Sequence, residues 1–120
     1  MIKAVLSMAL ALFLWLSAGV HLFYPIAFEG FIPDALPKLG VHLIAAGVEV
    51  PLAVLLFLPR PRWLGCYGFA ALCAAYMPVH IWDLFRDDPV IEAISAAAVR
   101  IVLQIALIAA GLWIARGAQK

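Results

Sequence analysis

Residues 39–58 read LGVHLIAAGVEVPLAVLLFL, an apolar run with one acidic residue, Glu49, near its centre. A run of about 20 apolar residues is the length that a helix needs to cross a bilayer. An ionisable side chain inside such a run is costly in hydrocarbon, so it usually faces a bundle interior and has a partner there. The segment therefore predicts a membrane helix with an inward-facing polar centre.

Three more apolar segments flank this one, and the four predicted spans are 2–24, 39–58, 63–84 and 90–115. In the first span, Lys3 and the apolar residues after it resemble the start of a signal peptide. The apolar run continues to Tyr24, however, and therefore predicts a membrane helix instead. Prolines and charges break the chain between the spans. The short connections predict an all-α protein: a single domain, 1–120, folded as an up-down-up-down transmembrane four-helix bundle.

The composition points to the same class. The 120 residues are 68% hydrophobic and 12% charged, whereas a soluble domain has about 45–50% apolar and about 25% charged residues. A soluble fold of this size has too little interior to cover so much apolar surface, so lipid is the expected solvent. The net charge of +1 gives no argument for a nucleic-acid partner.

The basic residues predict the orientation of the bundle. On one side lie Lys3, Arg60, Arg62, Arg116 and Lys120; on the other lie Lys38 and Arg86, beside four acidic residues of the first and third loops. The positive-inside rule then places both termini in the cytoplasm. Tyr24 and Trp82 are expected at the outer interface, and the long, Phe- and Pro-rich first loop is expected to cap the outer mouth of the bundle.

Helical spacing of three and four residues marks one stripe of small and polar residues on each span, which predicts the bundle interior. The stripes are Ser7, Ala11, Leu14, Ala18 and His21; His42, Ala45 or Ala46, Glu49 and Ala53; Phe69, Cys73, Tyr76, His80 and Asp83; and Ala97, Arg100, Gln104, Leu107 and Gly111. Cys66 and Cys73 lie seven residues apart on one helix, roughly 10 Å of rise, which is too far for a disulfide.

Six of these residues form the predicted polar pocket in the outer half of the bundle: His21, Glu49, His80, Asp83, Arg100 and Gln104. Glu49 and Arg100 each lie about ten residues, or ~15 Å, from the outer end of their predicted helices. Equal depth predicts a Glu49–Arg100 ion pair, with Gln104 one turn deeper. Pro51 and Pro78 each remove one helical hydrogen bond, and kinks at these points are expected to widen the pocket.

The pocket residues have alternative roles. The Glu49–Arg100 pair suits a proton relay or an anion site, but a structural pair that sets helix register is favoured. His21 and His80 are candidate haem or metal ligands, although structural hydrogen bonding is favoured for every histidine, His42 included. Asp83, one turn beyond His80, is a candidate partner for it in a proton-accepting dyad, although a solvated position at the interface, where Asp83 orients His80 or caps the helix end, is favoured. No catalytic residue, metal site or cofactor is assigned, and quinone and haem stay open.

These residues, in this order, resemble the DoxX-like family of small bacterial four-helix membrane proteins. The resemblance rests on Gly19-x-His21 with Pro25 and Phe28, Ile32-Pro33, Gly47-x-Glu49, Leu58-Pro59 with Arg62, and Arg100-x-x-x-Gln104. The chain departs from the family at Pro78-Val79-His80, where an asparagine is common in the third position. The resemblance implies a bacterial inner-membrane location. Some members are linked to thiosulfate:quinone oxidoreductase or to thiol-stress complexes, an activity that does not carry over to a chain without a cysteine pair or a catalytic subunit.

The favoured function is a non-enzymatic accessory or binding subunit that takes a lipid-like or quinone-like molecule, or a membrane protein partner, through its outer half. A membrane redox subunit that handles quinone or protons is the second hypothesis. A minimal transporter is the third, and four helices suit that role only as a homo-oligomer. No nucleophile elbow, P-loop or dinucleotide fingerprint is present in the sequence.

The orientation is testable by cysteine labelling. A cysteine introduced beside Arg60 is expected to resist an impermeant maleimide in intact cells and to react after the membrane is opened, because the positive-inside rule places this turn in the cytoplasm. Ready labelling in intact cells would invert the orientation.

Overall fold

The fold is built from four long helices. A computed structural model describes residues 1–118, and Lys120 lies outside that range. The described residues form five helices and no strand: α1 (Ile2–Phe23), α2 (Ile26–Glu29), α3 (Lys38–Phe57), α4 (Arg62–Phe85) and α5 (Ile94–Ala118). All but α2 are long and apolar enough to cross a membrane. The predicted all-α four-helix architecture is confirmed, and the chain is a candidate multi-pass membrane protein.

The long helices pack as two tight pairs. Helix α1 lies along α3 and α4 lies along α5, while α3 joins the pairs by packing on α4, and α1 touches α5 only briefly. Helices α3 and α5 therefore lie across the diagonal of the bundle, without extensive contact. This arrangement decides which side chains can meet, since a residue reaches its neighbours on adjacent helices more easily than one across the diagonal.

The two ends of the bundle differ. The end that carries residues 24–37 and 86–93 is the loop end, and the end that carries residues 58–61 and the first residues of α1 is the turn end. At the turn end Lys3 donates to the carbonyl oxygen of Trp113 at 2.9 Å, and its Nζ lies 4.3 Å from the centre of the Trp113 ring. This contact ties the start of α1 to the last turns of α5.

Apolar packing fills the half of the bundle nearest the turn end. Leu14, Leu56, Phe69 and Ile114 are almost fully buried and belong to one continuous cluster. The one polar side chain among them, Ser7, donates to the carbonyl oxygen of Leu56, which lies in the last turn of α3, where carbonyl groups lack a helical partner. The polar groups with further chemistry therefore lie nearer the loop end.

The predicted inward stripes are confirmed. Their members are buried or partly buried, and Cys66 and Cys73 are buried free thiols. Large apolar side chains cover the opposite faces, among them Leu16 at 71% exposed and Ile44 at 70%. So much exposed apolar surface is typical of contact with lipid.

Two boundaries differ from the prediction. Helix α5 begins at Ile94, four residues later than expected from the apolar pattern, because residues 86–93 follow a non-helical path that is held by Asp83. The first loop contains a short helix, α2, that apolar patterning alone did not indicate. As predicted, that loop covers the end of the bundle: Ile32 is buried, and a Cβ placed on Gly30 would lie 2.8 Å from Val90 in the other loop.

The close approach of α3 and α4 gives a stability prediction. A Cβ at Gly65 would lie 2.7 Å from the backbone nitrogen of Leu56, whereas a Cβ at Gly47 would meet nothing within 4 Å. We expect Gly65→Ala to lower the melting temperature in detergent, since the two helix backbones must separate. Gly47→Ala is the matched control, expected to leave the melting temperature unchanged or to raise it, because alanine is favoured over glycine in a helix by ~1 kcal/mol. Equal effects of the two variants would contradict the close approach.

Candidate functional site

The first polar cluster surrounds the carboxyl group of Glu49, which is fully buried. Oxygen Oε1 of Glu49 accepts hydrogen bonds from Ser17 Oγ of α1 at 2.9 Å and from Tyr76 OH of α4 at 3.0 Å. Nε2 of His21 lies 3.8 Å from the same oxygen. The second oxygen, Oε2, is enclosed and has no hydrogen-bond partner among the described residues. Three helices thus converge on one carboxyl oxygen.

The cluster continues from His21 toward the loop end through a second histidine. Nδ1 of His21 lies 2.8 Å from Nδ1 of His42 on α3, a hydrogen bond that needs one ring to donate and the other to accept. If His21 carries its proton on Nε2, facing Glu49, then His42 is the donor in this bond and its own Nε2 is left as an acceptor. That Nε2 is buried and unpartnered. Glu49, His21 and His42 therefore form a connected chain, called here the histidine–glutamate chain.

A cavity of ≈ 150 Å³ opens beside this chain at the loop end of α1 and α3. The two histidines and Glu29 supply its polar wall, and the remaining lining is Leu22, Pro25, Leu39 and Leu43. Leu22, Leu39 and Leu43 are between 47% and 72% exposed, so the apolar wall reaches the outer surface of the bundle. The cavity thus connects buried hydrogen-bonding groups with the surface that faces lipid.

The predicted ion pair between Glu49 and Arg100 is wrong. No salt bridge joins them in the described part of the chain, where Glu49 pairs with His21. Helices α3 and α5 lie on the diagonal. Since α5 starts late, Arg100 is only six residues from its loop end, about 9 Å, while Glu49 is eleven residues from the start of α3, about 16 Å. Neither position nor depth matches.

Arg100 belongs instead to a second cluster, between α4 and α5. Its guanidinium carbon lies 4.1 Å above the centre of the Phe31 ring, from the first loop, and its charge interacts with His80 and Asp83 of α4. Nη1 of Arg100 and Nδ1 of His80 are both enclosed without a hydrogen-bond partner among residues 1–118. Arg100 and His80 therefore each have one buried nitrogen whose hydrogen-bonding capacity is not used by the described residues.

Asp83 has a structural role that differs from the predicted one. It is 2% exposed rather than solvated, and its carboxylate accepts the backbone N–H groups of Val90 at 2.8 Å and Ile91 at 3.3 Å. Arg86 Nε lies 3.0 Å from the same carboxylate. Both oxygens of Asp83 are therefore occupied in holding residues 86–93, and Asp83 is not part of an open pocket.

Gln104 is also structural in this arrangement. Its side-chain amide donates to the carbonyl oxygen of Cys73 at 2.9 Å, within the turn of α4 that precedes Pro78. Pro78 lacks the N–H that would bond the carbonyl of Ala74, so the acceptor of Gln104 is the carbonyl next to the one that the proline frees. Gln104 therefore stabilises α4 near its proline, and the predicted single polar column separates into two clusters.

Residues of the first loop contact both clusters. Sequence patterns did not reveal this connection. The ring of Phe28 packs on His21 with centroids 4.7 Å apart, while Phe31 packs on Arg100. Ser17, His42 and Tyr76 were also missing from the predicted site. Their signals were present: Ser17 lies one turn before His21, and the other two lie on the predicted inward stripes. Phe31 had no such signal, because a loop residue has no periodicity.

The histidines do not form a metal site with three protein ligands. His21 bonds to His42, and His80 lies in the other cluster, so the predicted His21–His80 ligand pair is not assembled. Across residues 1–118, no group of three or more His, Cys, Asp and Glu side chains could hold a metal ion.

Comparison with known families gives one match. A family model described as "Domain of unknown function (DUF8561)" matches residues 10–115, which is most of the chain. The protein belongs to this family. The search of curated proteins and the search of solved structures found no match. The DoxX-like resemblance remains a prediction, since none of these comparisons links the chain with that family.

The geometry around Glu49 predicts which residues are energetically coupled. In detergent, Glu49→Gln and Tyr76→Phe are expected to show a coupling energy of about 1 kcal/mol in a double-mutant cycle, because Tyr76→Phe removes a buried hydrogen bond that Glu49→Gln weakens by replacing the carboxyl acceptor with an amide. Glu49→Gln combined with Arg100→Gln is the control and is expected to be additive to within ~0.5 kcal/mol, as for sites that share no partner. Unfolding midpoints of the variants measure both cycles. Additivity of the first pair, or coupling of the second, would contradict the arrangement described above.

Proposed function

We propose that this protein is an intramembrane binding module that takes a lipid-soluble ring compound of the quinone type at the cavity beside His21 and His42. The observation that carries the proposal is the histidine–glutamate chain at the wall of a cavity whose other wall is apolar and reaches the bundle surface. Binding sites for small molecules typically combine apolar linings with a few convergent polar groups.

The size of the cavity supports a single ring. Its volume of ≈ 150 Å³ equals that of an apolar protein cavity known to accept benzene, on the order of 150 Å³. A six-membered ring with carbonyl or hydroxyl substituents would place those groups toward the imidazoles. An alkyl tail would leave between Leu22, Leu39 and Leu43, which are exposed at the bundle surface.

The chemistry of the polar wall supports the same ligand class. An imidazole N–H donates to a quinone carbonyl, and an imidazole nitrogen accepts from a quinol hydroxyl. Because the two rings share one proton at their Nδ1 contact, a change of tautomer lets the same pair serve either form. The positive-inside rule supports a position of the loop end, and with it the cavity, on the outer side if the membrane is a bacterial inner membrane.

A membrane redox subunit is the second candidate, and the connected chain of proton-carrying groups favours it. A proton accepted at His42 Nε2 would release the Nδ1 proton to His21, which would in turn pass its Nε2 proton toward Glu49 after a small closure of the 3.8 Å gap. A proton moving in this direction comes from a quinol in the cavity, whose oxidation releases two protons and two electrons. The electrons would pass to a partner protein, and reduction of a quinone would run the relay in reverse. Co-isolation of a partner with a redox chromophore would favour this candidate over a binding module alone.

Binding of decylubiquinone to the purified protein tests the proposal. We expect saturable binding that His42→Gln weakens about tenfold, the effect of losing ~1.4 kcal/mol of hydrogen bonding. His80→Gln, in the other cluster, is the matched control and should bind as the unmodified protein does. Decylbenzene, which has the tail without the carbonyl groups, should bind more weakly. Equal binding of the two compounds, or no effect of His42→Gln, would overturn the proposed site.

A further inference from the structure

The second cluster contains a cation, Arg100, that forms no salt bridge within residues 1–118. Arg100 is partly buried among apolar groups, yet no carboxylate of the described residues forms a salt bridge with it. Its neighbour Asp83 already bonds two backbone N–H groups and pairs with Arg86. Glu49, the other buried acid, lies in the first cluster. An arginine in a membrane segment usually has a partner, since its charge is costly in hydrocarbon.

Two nitrogen atoms of the second cluster also lack a hydrogen-bond partner within residues 1–118. Nη1 of Arg100 and Nδ1 of His80 are both enclosed, and neither has a hydrogen-bond partner among the described residues. The two residues come from α5 and α4 and lie close enough for their charges to interact. Phe31 covers one face of the guanidinium, at 4.1 Å, and leaves the hydrogen-bonding edge of the group unpaired at Nη1. Arg100 as a whole is only partly buried, so its side chain can be reached from the bundle surface.

We propose that Arg100 and His80 form an anion site between α4 and α5 that binds the phosphate or carboxylate head of an amphipathic molecule. A guanidinium binds such groups with two parallel hydrogen bonds, and His80 in its Nδ1–H tautomer adds a third donor. The depth is suitable: Arg100 lies about 9 Å from the loop end of α5, near the boundary between headgroups and hydrocarbon. The site is separate from the quinone-type cavity and does not depend on it.

Native mass spectrometry of the purified protein, titrated with phosphatidylglycerol and with phosphatidylcholine of the same chains, tests this site. We expect the anionic lipid to bind at least tenfold more tightly, and Arg100→Gln to abolish the difference. Arg100→Lys should retain only part of it, since lysine keeps the charge but lacks the planar fork. Lys38→Gln is the control for net charge: it removes an exposed cation at the same end and should leave the preference intact.

Inorganic phosphate distinguishes the two sources of the anion. If phosphate displaces phosphatidylglycerol from the unmodified protein and binds to it alone, the site takes a free anion; if only the lipid binds, the headgroup is the occupant. Equal binding of the two lipids without phosphate binding, or full lipid preference in Arg100→Gln, would overturn the proposal. If Arg100→Gln fails to fold, the preference for the anionic lipid is measured in His80→Gln and in Arg100→Lys instead. Retained decylubiquinone binding in these variants would show that the two sites are independent.

Discussion

The burial of the Glu49 carboxyl group is the constraint on which the arrangement of the helices depends. A carboxyl group that is fully removed from solvent is costly unless hydrogen-bond donors surround it. The donors here come from different helices: Ser17 and His21 from α1 and Tyr76 from α4. These contacts hold α1 and α4 in register with α3, although α1 and α4 themselves lie across the diagonal of the bundle. One acid therefore specifies the relative positions of three helices.

The same constraint separates acid from base. Oε1 of Glu49 accepts from two hydroxyl groups, and no salt bridge joins Glu49 to Arg100 among the described residues, so each of the two is the centre of its own cluster. The acidic cluster lies on the pair α1 and α3, the basic cluster on the pair α4 and α5. The first loop spans both, with Phe28 on one and Phe31 on the other. The polar groups of the bundle therefore form two separate clusters, one at each of the two sites proposed above.

Much of the fold could be predicted from the sequence because each span follows a simple rule. Lengths of apolar runs predicted the four helices, and residues such as Ala11, Ala46, Phe69 and Gln104 fell on the inward faces that helical spacing indicated. The capping role of the first loop was also predicted, because it is too apolar for a solvated turn. The start of α5 was not, since Asp83 draws residues 90 and 91 into its own hydrogen bonds and the helix begins later than hydropathy suggests.

The sequence by itself determined the apolar character of the chain, the number of candidate spans and the face that each helix turns inward, because these depend on composition and on a period of 3.6 residues. Only the tertiary structure decided which inward residues meet. Periodicity places Glu49 and Arg100 on interior faces but does not say that α3 and α5 are diagonal, nor that their depths differ by about 7 Å. The pairing of His21 with His42, the isolation of Arg100 and the cavity between α1 and α3 all follow from that packing, since contact between helices depends on their order and depth as well as on their faces.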